Sequence, residues 1–243
     1  MKRYFENIYG ESISNLLIDI EKYINNEEKK FIITANPEII IESQNDKELS
    51  KILLNKDNII VPDGISIVKV SKKYDKKIEE RITGVDLSIK LLELANRHKK
   101  SIYLFGATDE VVRQLQANIH NKYPNISKVY IQNGYVKDKN KAFKDIISKN
   151  PDIVLVALGV PLQEKIISKN IAKFKKGIFI GVGGTFDVLS GAKKRAPKLF
   201  IQLNLEWLYR IVREPKRIKR FFKYNIKFLY LVNKEQRKKR KIH

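Results

Sequence analysis

Short apolar segments of strand character alternate with helical patterns along most of the chain. Residues 152–159 are almost entirely apolar, and Pro161 opens a helical pattern directly after them. An apolar run of this kind is typical of a strand covered on both faces, so we expect it near the centre of a parallel sheet. Similar segments recur at residues 31–35, 59–61, 101–107, 128–131 and 178–184. The alternation predicts an α/β fold, with a mostly parallel sheet and helices on both faces.

Positive charge is concentrated towards the end of the chain. The formal net charge is +22, and the residues from Lys193 onward hold 18 Lys and Arg against three Glu, a balance of +15. A segment of this charge predicts a polyanionic partner, which is either an anionic membrane surface or a nucleic acid.

Apolar residues at helical spacing continue through this basic segment. Those within residues 200–211 predict one helix, and Pro215 starts a second, which carries Ile218, Phe222 and Ile226 between Lys and Arg. This composition favours a helix that lies on a membrane surface; the alternative is a helix docked on the core with its charges in water. We therefore predict a Rossmann-like catalytic domain over residues 1–196 and a basic helical, membrane-targeting appendage over residues 197–243.

The composition excludes several kinds of chemistry. The chain has no cysteine, which excludes disulfides, thiolate metal sites and thiol catalysis, and its histidines (His98, His120 and His243) are far apart in sequence. It has no G-x-S-x-G motif of a serine hydrolase. No apolar run reaches 18 residues and the first residues lack the apolar core of a signal peptide, so we expect a cytoplasmic location.

An acid follows the predicted strand at residues 59–61, in the turn Pro62-Asp63-Gly64. Ligands of open α/β sheets bind beyond the carboxyl ends of the strands, so a carboxylate at this position can meet a substrate. The other interpretation is that Asp63 caps the helix that carries Ile65 and Ile67. On the residues alone, the cap is the favoured interpretation.

Two glycine-containing turns, Gly106-Ala107 and Gly183-Gly184, also follow predicted strands. Backbone amides in such turns can bind a diphosphate or a nucleotide, although a packing role explains each turn equally well. The chain has no D-x-D motif, the usual carboxylate pair for a divalent metal that holds a sugar nucleotide. Cations would then neutralise a diphosphate, and Arg81 and Arg195 are candidates; for Arg81 a surface ion pair is the alternative.

Seven motifs in fixed order resemble those of the WecG/TagA/CpsF glycosyltransferases, most closely the TagA type, and the similarity covers nearly the whole chain. The motifs are Thr34-Ala35-Asn36-Pro37-Glu38, Pro62-Asp63-Gly64, Arg81-Ile82-Thr83-Gly84-Val85-Asp86, Leu104-Phe105-Gly106-Ala107, Leu158-Gly159-Val160-Pro161-Leu162-Gln163-Glu164-Lys165, Gly181-Val182-Gly183-Gly184-Thr185-Phe186-Asp187 continuing to Lys194-Arg195-Ala196-Pro197, and Leu205-Glu206-Trp207-Leu208-Tyr209-Arg210 with Glu214-Pro215. The chain departs from the family at Ile166, where members often have Trp, and at Gly184-Thr185, where both residues are often small.

The resemblance implies an inverting glycosyltransferase that needs neither a metal nor another cofactor. Such an enzyme moves N-acetylmannosamine from a UDP-sugar to undecaprenyl-diphosphate-linked N-acetylglucosamine, for the wall teichoic acid linkage unit or a related cell-surface polysaccharide. The alternative on the same fold is another UDP-sugar donor, as in capsule or exopolysaccharide synthesis. The resemblance also implies a peripheral protein on the inner face of the plasma membrane, and it leaves a homo-oligomer open.

The resemblance assigns roles to individual residues as well. It implies that Asp63 is the catalytic base, which reverses the preference for a helix cap. The residues implied to line the sugar and diphosphate site are Thr34, Asn36, Arg81 and Gln163. Those implied for the nucleotide are Gly106, Gly134, Tyr135, Gly184 and Asp187, and Arg195 stays a candidate for the diphosphate. Arginines of the appendage are expected to contact the membrane and the lipid acceptor: Arg210, Arg213, Arg217 and Arg220.

A nucleic-acid-binding protein is the rival hypothesis from another class, because the charge alone would suit it. The chain has no recognisable reader motif, and its aromatic residues within 221–230 follow helical spacing, not the arrangement of a stacking platform. We therefore expect three partners, namely a UDP-sugar, a polyprenyl-diphosphate-linked acceptor and an anionic membrane, and no nucleic acid.

Overall fold

The described part of the chain, residues 1–240 of a computed structural model, contains one parallel sheet of six strands in the order β2-β1-β6-β5-β3-β4. The strands are β1 (Lys29–Ala35), β2 (Ile59–Pro62), β3 (Ser101–Gly106), β4 (Lys128–Gln132), β5 (Ile153–Ala157) and β6 (Gly177–Gly181). Every pairing is parallel, and the apolar strand β5 lies between β6 and β3, inside the sheet as predicted.

Helices cover both faces of this sheet, which confirms the predicted α/β fold. They are α1 (Lys2–Glu6), α2 (Ile13–Asn25), α3 (Pro37–Glu42), α4 (Lys47–Leu54), α5 (Ile65–Ser71), α6 (Gly84–Arg97), α7 (Asp109–Lys122), α8 (Lys139–Lys149), α9 (Leu162–Asn170), α10 (Thr185–Leu189), α11 (Lys198–Gln202), α12 (Glu206–Arg213) and α13 (Arg217–Arg240), with single 3₁₀ turns at Lys72–Tyr74 and Ile171–Lys173. Buried residues form two apolar clusters, one on each face. Because successive residues of a strand point to opposite faces, Ile32 joins one cluster and Ile33 the other.

Several helices begin with a polar side chain directly after a strand or loop at the carboxyl edge of the sheet. The side chain of Asn36 accepts the N–H of Ile39 at the start of α3, and Thr83 accepts that of Asp86 at the start of α6. Such caps satisfy N–H groups that have no partner within the helix, and each is worth about 1 kcal/mol. The caps fix where each helix starts, and therefore which residues lie at the edge of the sheet.

The segment before α13 is two helices, so the single helix predicted over residues 200–211 is wrong. Helix α11 ends before Leu203, and Asn204 has a left-handed backbone with φ of 59°. A residue in this conformation stops a helix, and Asn tolerates it better than most residues. Helix α12 then starts at Glu206.

The long helix α13 docks on the core and also presents apolar side chains to solvent. Phe228 and Val232 are fully buried, and the Phe228 ring lies 6.3 Å from the Phe5 ring. Further along, the Glu235 carboxylate accepts from the Tyr74 hydroxyl at 2.8 Å and lies 3.2 Å from the N-terminal ammonium of Met1. The exposed apolar side chains of this helix are Ile218, Phe222, Ile226, Leu229 and Tyr230.

The docked-helix interpretation therefore describes one side of α13, the other side faces water, and the binding of that side to a membrane stays a prediction. Residues 241–243, the end of the predicted appendage and the position of His243, lie outside the described residues. Across residues 1–240, the helices lack the combination of length and apolar character that crossing a bilayer would require.

Candidate active site

The residues singled out in the sequence gather at one edge of the sheet. All strands run in the same direction, so their carboxyl ends lie together. Asn36 follows β1, Asp63 follows β2, Gly134 follows β4 and Gly184 follows β6. The first turn of α6, with Gly84, reaches the same edge, because a Cβ added to Gly84 would lie 3.6 Å from the Thr34 side chain.

Asp63 lies half-buried at the end of β2 and is held by its backbone. Its N–H and that of Gly64 both donate to the Ala35 carbonyl, at 2.9 and 3.1 Å. Its side chain does not cap α5, because Gly64 is the residue at the cap position and no side chain caps that helix. The carboxylate instead lies near the start of α6, where the Gly84 N–H lowers its pKa. The helix-cap interpretation is therefore wrong, and the carboxylate is free of that structural task.

The environment of Asp63 favours its neutral form more than water does. Burial raises the pKa of Asp63 to about 6, even though the cations Arg210 and Arg81 act in the opposite direction. Glu206 raises the pKa further, and the Gly84 N–H lowers it. A carboxylate with a pKa near 6 is a stronger base than an ordinary aspartate and is still ionised at neutral pH.

Glu206 holds two arginines next to this acid. Its buried carboxylate lies 3.4 Å from Arg81 Nη2 and 2.6 Å from Arg210 Nη2. The sequence motif contained Glu206, but no role was predicted for it. The sequence did contain a signal for such a role, because Glu206 is the only acid between Lys193 and Arg213 and therefore the only carboxylate there that could pair with arginines. Arg81 does form the ion pair that the alternative predicted, but the pair is largely buried and not on the surface, because the Arg81 side chain is only 12% exposed.

Thr34 and Gln163 lie behind the edge of the sheet, where Thr34 binds the last residue of β6 and Gln163 binds the loops after β5 and β6. The Thr34 hydroxyl donates to the Gly181 carbonyl at 3.2 Å. The Gln163 side chain is buried, and its Oε1 accepts the N–H groups of Gly159 and Gly183, both at 3.1 Å. Both side chains therefore form hydrogen bonds that hold the backbone of the site in place.

Gly106 and Gly134 meet in a close approach of two backbones. Gly106 has φ of 142°, and a Cβ there would lie 2.3 Å from the Ala157 carbonyl oxygen. A Cβ on Gly134 would lie 3.0 Å from Gly106 Cα, and its N–H donates to the Ala107 carbonyl at 2.8 Å. Packing therefore explains both glycines. The neighbouring Tyr135 is 78% exposed, at the rim of this region.

A cavity of about 350 Å³ lies between the β6–α10 loop, α12 and the start of α13. Its lining is strongly cationic and contains Lys193 and Lys194. It also includes five of the predicted site residues: Gly184, Arg195, Arg210, Arg213 and Arg217. Clustered guanidinium groups at this density suit a diphosphate, which accepts several hydrogen bonds at once.

Ion pairs connect the residues that line this cavity to one another and to Asp187. Lys193 Nζ lies 2.9 Å from the Asp187 carboxylate and 3.3 Å from that of Glu214, which also pairs with Arg217 at 2.7 Å. Asp187 therefore binds a lysine of its own chain. Lys193 joins α10, through Asp187, to the end of α12, through Glu214, and no role was predicted for it.

Arg195 and Arg220 are ion-paired to helices that follow strands or loops of the sheet. Arg195 Nη2 lies 2.5 Å from the Asp86 carboxylate, at the start of α6. Arg220 pairs with Glu38 of α3, with Nε at 2.9 Å from the carboxylate, and it does not line the cavity. Among residues 1–240, no three or more His, Asp or Glu side chains cluster in a way that could hold a metal ion.

The fold and this edge define a class of protein. A basic carboxylate at the carboxyl edge of a parallel α/β sheet, beside a cation-lined cavity, is typical of an enzyme that acts on a phosphate-bearing substrate. The model of the glycosyl transferase WecG/TagA/CpsF family matches residues 7–242. The chain belongs to this family and is a glycosyltransferase.

Three characterised relatives agree with this assignment, and each is named an N-acetylglucosaminyldiphosphoundecaprenol N-acetyl-beta-D-mannosaminyltransferase. The protein of Bacillus subtilis (strain 168) is 39% identical over 232 residues, which are 95% of this chain and 90% of the relative. That of Bacillus spizizenii is 38% identical over 91% of this chain and 85% of the relative. That of Staphylococcus aureus (strain MW2) is 37% identical over 87% and 82%.

Proposed function

We propose that this glycosyltransferase moves N-acetylmannosamine from UDP-N-acetylmannosamine to undecaprenyl-diphosphate-linked N-acetylglucosamine. The transfer inverts the anomeric centre and uses no metal ion. The names of the relatives support the donor sugar and the acceptor, since the chain is 37–39% identical to them over most of its length. The observation that carries the chemistry is the half-buried carboxylate of Asp63, whose pKa is about 6, beside Arg81 and Arg210.

Asp63 acts as the general base in this mechanism. An inverting transfer needs a single base on the side of the anomeric carbon opposite the leaving group, and Asp63 takes the proton of the acceptor hydroxyl. UDP leaves with negative charge on its diphosphate. Arg81, beside Asp63, and Arg195, in the lining of the cavity, stabilise that charge in place of a metal ion.

A donor screen tests the substrates. The protein is incubated with a short-chain polyprenyl-diphosphate-linked N-acetylglucosamine and, in separate reactions, with UDP-N-acetylmannosamine, UDP-N-acetylglucosamine and UDP-glucose, each with and without EDTA. We expect a disaccharide product from UDP-N-acetylmannosamine alone, unaffected by EDTA and with inverted configuration by NMR. Transfer only from another donor would establish the capsule-type alternative, and retained configuration or loss of product with EDTA would contradict the mechanism.

The basic appendage is proposed to bring the enzyme to an anionic membrane, where its lipid-linked acceptor is found. Exposed apolar side chains on α13, such as Phe222 and Ile226, lie on the same helix as exposed Lys219, Lys223 and Lys227. Apolar insertion and attraction to anionic headgroups act together in such helices. Arg210, Arg213 and Arg217 would then face the acceptor diphosphate from the wall of the cavity.

The pH dependence of the reaction tests the electrostatics of Asp63. The base must be ionised, so kcat/KM of the wild type is expected to fall as the pH drops through about 6, the pKa of Asp63. Arg210 lowers that pKa, so Arg210→Met is expected to move the acidic limb of the pH profile to higher pH. Lys219→Met, which removes an exposed cation of α13, is the matched control and should leave the limb in place. An unmoved limb in Arg210→Met would contradict the assignment.

A further inference from the structure

Glu164 is a fully buried acid directly behind the candidate active site, and the proposed chemistry does not use it. It lies in the first turn of α9 and is 0% exposed. One carboxylate oxygen, Oε1, accepts a hydrogen bond from Gln163 Nε2 at 2.7 Å. The other oxygen, Oε2, is buried with no hydrogen-bond partner among the described residues. A buried acid without full pairing costs stability, so its presence calls for a functional explanation.

The partner of Glu164 joins two loops of the site. Gln163 Oε1 accepts the N–H of Gly159, in the loop after β5, and the N–H of Gly183, in the loop after β6. Both glycines have left-handed backbones, with φ of 79° and 51°. The residue after Gly183 is Gly184, which lines the cationic cavity. One amide therefore sets the distance between the two loops.

A primary amide can be turned by 180° with almost no change of shape, which exchanges its oxygen and nitrogen. Only one orientation of Gln163 works here, because the two glycine N–H groups need an acceptor and the amide nitrogen cannot supply one. Glu164 Oε1 selects that orientation, since it accepts from Nε2 and would repel the amide oxygen. Burial raises the pKa of Glu164 to about 7, and a carboxyl protonated on Oε2 still accepts at Oε1.

We propose that Glu164 is a positioning residue of the transfer reaction: it fixes the Gln163 amide, and through it the loops after β5 and β6 against the diphosphate-binding cavity. The inference rests on the proposed function for its effect on catalysis. Its structural part, the hold on the two loops, can be measured without any reaction.

Three substitutions separate this role from a general contribution to stability. Glu164→Gln keeps an acceptor oxygen at the same reach and is expected to retain kcat within about threefold. Glu164→Leu removes the acceptor, and Glu164→Asp keeps the charge but is one methylene too short; both are expected to lower kcat at least tenfold. Ile167→Ala, a 0% exposed residue of the same helix, is the control. It should lower Tm and leave kcat per folded protein unchanged.

Hydrogen exchange gives a readout that does not depend on turnover. Peptides that contain the Gly159 and Gly183 amides are expected to lose protection in Glu164→Leu and Glu164→Asp, and to keep it in Glu164→Gln. Unchanged protection would overturn the inference while leaving the proposed function intact. Altered protection in an enzyme that transfers no N-acetylmannosamine would instead overturn the proposed function and leave the positioning role standing.

A double-mutant cycle completes the test. If Glu164 acts through Gln163, Glu164→Leu should reduce kcat little further in a Gln163→Leu background, because the amide that it orients is already gone. Independent, additive losses would overturn the inference, as would a loss of kcat in Ile167→Ala that matches the loss in Glu164→Leu.

Discussion

Asp63→Asn is expected to lower kcat by about 10²–10⁴-fold, the range that a general base typically contributes. Asparagine has nearly the same shape, and the backbone bonds of residues 63 and 64 to the Ala35 carbonyl do not involve the side chain, so the end of β2 should keep its conformation. What it cannot do is take the proton of the acceptor hydroxyl. The loss should therefore appear in kcat, with the affinity for UDP nearly unchanged.

The measurement for Asp63→Asn combines turnover, Tm and UDP affinity by calorimetry. Asp57→Asn is the matched control, because Asp57 is an exposed acid in the loop before the same strand. The control should behave as wild type in all three measurements. Residual activity of the Asp63 variant above about a tenth of wild type would contradict the role of base, since a proton acceptor contributes at least about 10²-fold.

Replacing three exposed apolar residues of α13 is expected to reduce binding to anionic vesicles at least tenfold. Ile218, Phe222 and Ile226 lie four residues apart on one side of the helix and are 42%, 45% and 62% exposed. Fully burying one such side chain is worth about 1.5–3 kcal/mol, and about 1.4 kcal/mol changes a binding constant tenfold. Even partial insertion of three side chains therefore exceeds a tenfold effect when all are changed to Gln.

Co-sedimentation with vesicles of phosphatidylglycerol and phosphatidylcholine provides the measurement. Ile18→Gln is the control, because Ile18 is 54% exposed on α2, outside the appendage. Binding of the wild type should weaken with added salt, as expected when Lys and Arg contact anionic headgroups. Unchanged binding of the triple variant at physiological salt would contradict the proposal. Substitutions are preferable to truncation at residue 197, because truncation would remove Phe228 and Val232 from the core.

The arrangement of the sheet could be predicted from local patterns. Apolar runs without alternation indicated buried parallel strands, and parallel strands place their carboxyl ends at one edge. The position of Asp63 at that edge followed from its turn alone. Its role did not, because a helix cap and a catalytic base have the same local sequence. The structure excludes the cap, since no side chain caps α5, and the role of base stays a prediction.

The remainder of the site depends on contacts between distant segments, which local patterns do not contain. Arg81 and Glu206 are separated by 125 residues, and Ser66 and Asn225 by 159. On α13, Phe222 and Phe228 follow the same helical pattern, yet one is exposed and the other buried. Only the docking of the helix on the α/β domain decides which side chain faces water. The burial of Gln163 and Glu164 could not be predicted from the sequence either, because polar residues at the start of a helix are usually exposed.

The contact between Phe228 and Phe5 has a consequence for synthesis of the protein. A ribosome adds roughly 5–20 residues per second, so the first turn of the chain waits on the order of ten to forty seconds for the helix that covers it. During that interval Phe5 can stack on Tyr74, whose ring lies 4.6 Å away, but it lacks the cover that Phe228 provides. The nascent protein therefore exposes that part of the surface until α13 emerges, and the rate at which the residues between Phe5 and Phe228 are translated sets how long the exposure lasts.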